Sequence, residues 1–166
     1  MSRLQTAIDQ IRAARGYTEG LLDQIDFADW FRQPAEGVTH VAWQVGHLAM
    51  AEFRLAGQRI RGQRPEDSGL ISEDFLKLFG KGSSPVADPA RYPAPAELRG
   101  VFDRVHRQTV AELQTLSDDV LDEPSLPEHP MFATKLGALC WTAQHEFLHA
   151  GQIGLLRRLQ GNAPLR

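Results

Sequence analysis

The chain has 166 residues, 42% hydrophobic and 23% charged, with a formal net charge of −3. That length suffices for one domain with a real core, and the scattered basic residues exclude a nucleic-acid-binding face. The single cysteine, Cys140, excludes an intrachain disulfide and fits a reducing compartment. Charges at Arg3, Asp9, Arg12 and Arg15 exclude an apolar signal core, and no run of about 18 apolar residues predicts a membrane span. The expectation is a single cytoplasmic domain over residues 1–166.

Residues 2–25 read as a first helix. Ser2 can cap it, and Leu4, Ile8, Ile11, Ala14 or Arg15, Thr18, Leu22 and Ile25 recur at helical spacing. Gly16 and Gly20 weaken its middle. Phe27, Trp30 and Phe31 read as core plugs in the connector that Pro34 and Gly37 close. A second helix starts near Val38 or Thr39 and runs to about Arg61, with Val41, Val45, Leu48, Phe53, Ala56 and Ile60 on its apolar face. Trp43, His47 and Met50 lie together on this helix at three- and four-residue spacings. Gly46 beside His47 signals close approach by a neighbouring element.

Residues 62–95 form a long irregular connection, punctuated by Gly and Pro, with one short helix over Ser72–Phe79. The run Phe79-Gly80-Lys81-Gly82-Ser83-Ser84 lacks the spacing of a phosphate loop and follows no strand. Such a connection can cover a pocket mouth. A third helix runs from about Ala96 to Leu116, started by Pro95. Ser117 to Phe132 reads as another loop, in which His129 is most simply a solvated residue. The fourth helix begins near Thr134 and stops before Gly161. It is apolar over much of its circumference, which suits packing on more than one side or a dimer seam. With no alternating apolar run convincing enough for a strand, the fold class is all-α: four helices, hence a four-helix bundle.

The chemistry concentrates in His145-Glu146-Phe147-Leu148-His149. Two histidines four apart lie on one helical face, and both imidazoles can reach one metal ion at about 2.0–2.1 Å. A bundle supplies a partner across the core, and His47, mid-helix among small residues, is the candidate. Three neutral imidazoles leave the ion's charge unneutralised and positions open for water or a thiol. Zn, Ni, Co and Fe all suit such a set. Gln152, three after His149, shares its face and is expected behind the ligands or in the pocket; Trp43 and Met50 are expected to line the pocket's apolar part.

Two other readings stand beside this one. The histidines can simply hydrogen-bond in a core. The run also matches the H-E-x-x-H zinc-protease pattern with Glu146 as base, but Gln152 and Leu155 stand where the metzincin extension needs Gly and His, and no acidic residue follows His149. Glu146 is rotated about 100° from His145, which suits a carboxylate behind the ligands or at the surface better than a base.

Trp43-Gln44-Val45-Gly46-His47-Leu48 and the closing His145-x-x-x-His149-x-Gly151-Gln152-Ile153-x-x-Leu156-Arg157-Arg158 resemble the DinB/YfiT-like superfamily, and the Phe79-Gly80-x-Gly82-Ser83 loop resembles members of the same group. The resemblance spans nearly the whole chain. It implies up-down-down-up connectivity, a divalent metal on His47, His145 and His149, and a homodimer. Members with known activity include metal-dependent thiol S-transferases and isomerases that use bacillithiol, mycothiol or glutathione. The expectation is therefore a metal ion (Zn, Ni or Fe) that activates a low-molecular-weight thiol, or water, against a small-molecule substrate. The alternatives are a non-catalytic, metal-stabilised bundle that binds a small ligand in a stress response and an HExxH-type metallohydrolase.

Overall fold

The structure, a computed structural model, describes residues 2–165, so the two end residues of the expected domain lie outside the described range. Helix α1 (Arg3–Leu22) starts where Ser2 Oγ accepts the Gln5 N–H at 3.1 Å. Its Leu4, Ile8, Ile11 and Leu22 are buried, as the helical period requires. Arg15 is buried with them, so the stripe takes in a charge. Trp30 is the one full core plug of the connector. Phe31 is half-buried, and Phe27, 47% exposed, packs edge-on against Trp30 from outside.

The second helix starts a little later than expected. His40 caps it, its Nδ1 accepting the Trp43 N–H at 3.1 Å. α2 (Val41–Glu52) then runs through a π-helical segment, Phe53–Gln58, into α3 (Arg59–Arg61). The rod ends at Arg61 as its periodicity predicts, but with a widened turn that the pattern did not signal; such turns re-aim side chains. The long connection holds α4 (Asp67–Leu70), α5 (Glu73–Leu78) and a 3-10 turn at Pro89–Arg91. α6 (Pro95–Leu113) follows.

The segment expected to be a loop before the last helix instead holds a small sheet. β1 (Pro124–His129) pairs antiparallel with β2 (Phe132–Thr134), so the fold is mostly helical rather than purely so. Pro124 and Pro127 argue against a central strand, but a two-stranded ribbon has only edges, where proline is tolerated. His129 is not a free loop residue. Its ring stacks on Phe132 at 4.4 Å, and its Nδ1 accepts the Met131 N–H. α7 (Lys135–Leu159) is capped by Thr134, as expected.

α1 lies along α7 and α2 along α6, while α2 also meets α7. That last contact brings the two histidine-bearing helices together.

Candidate metal centre

One face of α2 carries His40, Trp43 and His47. Each holds the long connection at a successive point: His40 Nε2–H donates to the Val86 carbonyl at 3.0 Å, Trp43 Nε1–H to Ser83 Oγ at 3.2 Å, and His47 Nδ1–H to the Phe79 carbonyl at 2.8 Å. The connection therefore runs back along the helix, strapped over His47. Gly46 permits this. A Cβ there would lie 2.5 Å from Phe79 Cζ and 2.6 Å from Cδ1, so only glycine admits the ring. The Gly-rich run needs no phosphate to explain it: Ser83 anchors Trp43, Gly82 has φ +91°, and a Cβ on Gly80 would meet the Leu76 carbonyl at 2.7 Å.

A carbonyl oxygen only accepts, so His47 carries its proton on Nδ1 and turns the bare Nε2 toward α7. His145 and His149, one turn apart on α7, face it. One ring nitrogen from each of the three lies within 4.8 Å of the others, and the His47 and His145 Nε2 atoms are 3.4 Å apart. Two nitrogens bound to one tetrahedral ion at about 2.0–2.1 Å stand about 3.3–3.4 Å apart. Trp43 stacks on His47 at 4.7 Å and nearly parallel, closing one side of the cluster.

His149 is oriented from behind. Its Nδ1–H donates to Gln44 Oε1, and the Gln44 amide is fixed in turn by donating to Gln152 Oε1 at 2.7 Å and Thr39 Oγ1 at 3.0 Å. This relay leaves His149 Nε2 free for an electrophile, the usual arrangement behind a ligating histidine. All three rings are held neutral. Burial lowers the His47 pKa; burial and then the His47 charge bring His145 down to about 4; burial and then the two neighbouring rings bring His149 down to about 3. Neutral imidazoles with free nitrogens at this spacing are a donor set that fits a divalent cation.

The other expected residues divide. Gln152 reaches the histidines only through Gln44. Met50 is buried in the core. Glu146 points away from the histidines, to Arg15. Arg15 Nε–H donates to Glu146 Oε1 at 2.9 Å, its Nη2 to Glu52 Oε2 at 2.6 Å and its Nη1 to the Phe102 carbonyl at 3.0 Å. His106 Nδ1 meets the other Glu52 oxygen at 2.8 Å. Burial, opposed by Arg15 and aided by the Glu52 charge, raises the Glu146 pKa. Sequence reasoning missed Gln44, Thr39, His40 and the Glu52–His106 contact. Gln44 carried one usable signal: it precedes His47 by three and so shares its side of the helix.

The family model described as the DinB superfamily matches residues 10–153. The chain belongs to the DinB superfamily. A solved structure of a conserved protein from Enterococcus faecalis is similar to this DinB chain over 96% of its length and 97% of the other's, with a TM-score of 0.69 and 17% sequence identity. That likeness shows a shared fold over 96% of the chain. None of the curated proteins matches it.

Proposed function

We propose that this DinB protein is a metal-dependent enzyme that holds one divalent ion (Zn, Ni or Fe) on His47, His145 and His149 and activates a low-molecular-weight thiol, or water, against a small electrophile, in the manner of an S-transferase. The reading includes an up-down-down-up bundle of the four long helices and a cytoplasmic homodimer. The observation that carries it is the convergence of three neutral imidazoles, with the His47 and His145 Nε2 atoms 3.4 Å apart. Family membership agrees with it.

A divalent ion on these nitrogens supplies a Lewis acid that lowers the pKa of a bound thiol or water. The chain's own residues do the rest. The Phe79 carbonyl and Gln44 hold two rings in the tautomer that presents Nε2, Trp43 shields one face, and the strapped connection shapes the approach. Glu146 is engaged by Arg15, which disfavours the metallohydrolase alternative with Glu146 as base. For the dimer, the support is the apolar surface that α7 leaves exposed at Phe147, Leu148, Leu155 and Leu159.

The test is elemental analysis of the purified protein beside His47→Ala, His145→Ala and His149→Ala variants. About one ion per chain, lost in each variant, supports the reading. A wild-type protein that stays metal-free after reconstitution overturns it.

A further inference from the structure

Arg15 is buried on α1, and the groups it holds come from the three other long helices. Its Nε–H and Nη2–H donate to the two oxygens of Glu146 on α7 at 2.9 and 3.4 Å. Nη2 also donates to Glu52 Oε2 on α2 at 2.6 Å, and Nη1 to the Phe102 carbonyl on α6 at 3.0 Å. The Arg15 Cζ stands 3.2 Å from the centre of the Phe102 ring, a cation–π contact that fixes the guanidinium from a further side. His106 of α6 meets the remaining Glu52 oxygen at 2.8 Å.

The two carboxylates belong to the helices that carry the histidines. Glu146 stands between His145 and His149, and Glu52 is the last residue of α2, which carries His47. Among the described residues, the direct polar side-chain contacts from α2 to α7 are those of the site itself: His47 to His145, and Gln44 to His149 and Gln152. Arg15 adds a link that uses none of those atoms. A buried ion pair adds little stability over apolar packing of the same volume. What a guanidinium does add is direction, since hydrogen bonds from two of its edges fix where both carboxylates stand. Site geometry must be held to within about 0.5 Å, a tolerance that apolar helix faces, free to slide, do not enforce by themselves.

We propose that Arg15 is a positioning residue for the three-histidine centre. By holding Glu52 and Glu146 on one guanidinium, it sets α2 against α7 at the spacing at which His47 meets His145 and His149. This rests on the metal reading above. Arg15 acts only through the two helices.

The test measures cobalt affinity by chelator competition, and urea unfolding of the metal-free protein, on the same variants. Arg15→Met is expected to lower both, the affinity about tenfold. Adding Glu52→Gln and Glu146→Gln removes the stranded charges. Stability is then expected to return toward the wild type while the affinity stays low, because no guanidinium joins the helices. A structural role alone would return both together. Glu52→Gln and Glu146→Gln, each by itself, keep an acceptor for Arg15 and are expected to bind cobalt as the wild type does, so neither accounts for the low affinity of the triple variant. An Arg15→Met protein of wild-type affinity, or a triple variant whose affinity recovers with its stability, overturns the proposal. Should Arg15→Met not fold, the triple variant alone decides. A wild-type protein that takes no cobalt overturns the metal reading instead. The metal-free proteins then decide the role of Arg15 through the nuclear Overhauser contacts of the His47 ring with the His145 and His149 rings, whose centres lie 5.2 and 4.7 Å from its own. The proposal stands if the triple variant loses them and falls if they persist.

Discussion

Replacing Arg15 tests how the interior carries charge. Its side chain is 2% exposed and bridges two carboxylates that are themselves buried, Glu52 and Glu146. Arg15→Met keeps the aliphatic bulk and removes the guanidinium. It leaves one carboxylate with only His106 for company and the other with no cation. Removing one partner of a buried ion pair costs about 3–5 kcal/mol. At about 2–4 °C per kcal/mol for a domain of this size, the melting temperature should fall by about 6–20 °C. Glu146→Gln should cost far less, about 1 kcal/mol, because it keeps the shape and an acceptor while removing one of two negative charges around a single guanidinium. Glu146→Gln added to Arg15→Met should recover part of the loss, since one uncompensated charge disappears. Circular dichroism melts at neutral pH, with metal content measured on the same samples, read both effects. An Arg15→Met protein that melts with the wild type refutes the reasoning. A Glu146→Gln protein that loses its metal would return Glu146 to the metal centre.

Other consequences follow from the same geometry. Gln44→Leu removes the acceptor that orients His149 and should weaken metal binding about 10–100-fold in a chelator competition, beyond the loss of about 1–3 kcal/mol that its stranded hydrogen-bond partners cost the metal-free protein. Gly46→Ala drives a methyl into the Phe79 ring and should destabilise the protein by about 1–3 kcal/mol in urea unfolding while shifting the strap that holds His47. Acid should destabilise the metal-free protein. The folded pKa values of His145, about 4, and His149, about 3, lie below the ordinary 6.5, so below that value the unfolded chain binds protons first and stability falls with pH. Between about pH 6.5 and 5.5 the loss should reach about 1 kcal/mol after solvent screening, against a ceiling of about 2 kcal/mol for two histidines, and His145→Ala/His149→Ala should flatten the dependence.

Much of this was legible in the chain. Helical spacing located the four long helices to within a few residues, since a buried stripe must recur every third or fourth position whatever it packs against. The i, i+4 pair His145 and His149 was local in the same way, and Gly46 announced a close approach without saying by what. The β1–β2 ribbon was not legible, because its prolines argue against a strand until it is known that both strands are edges. Nor was the π-helical turn, which leaves the apolar period almost intact. The direction of Glu146 was half-legible. Its rotation from His145 follows from the helix, but its partner follows from Arg15, 131 residues away and placed on the buried stripe of α1. Local periodicity by itself determined which faces turn inward and where two imidazoles align. Only the tertiary structure decided that His47 faces them, that Gln44 and the Phe79 carbonyl set their tautomers, and that the Glu146 carboxylate pairs with Arg15. Each of these depends on groups from separate helices or loops, whose meeting is fixed by how the faces pack.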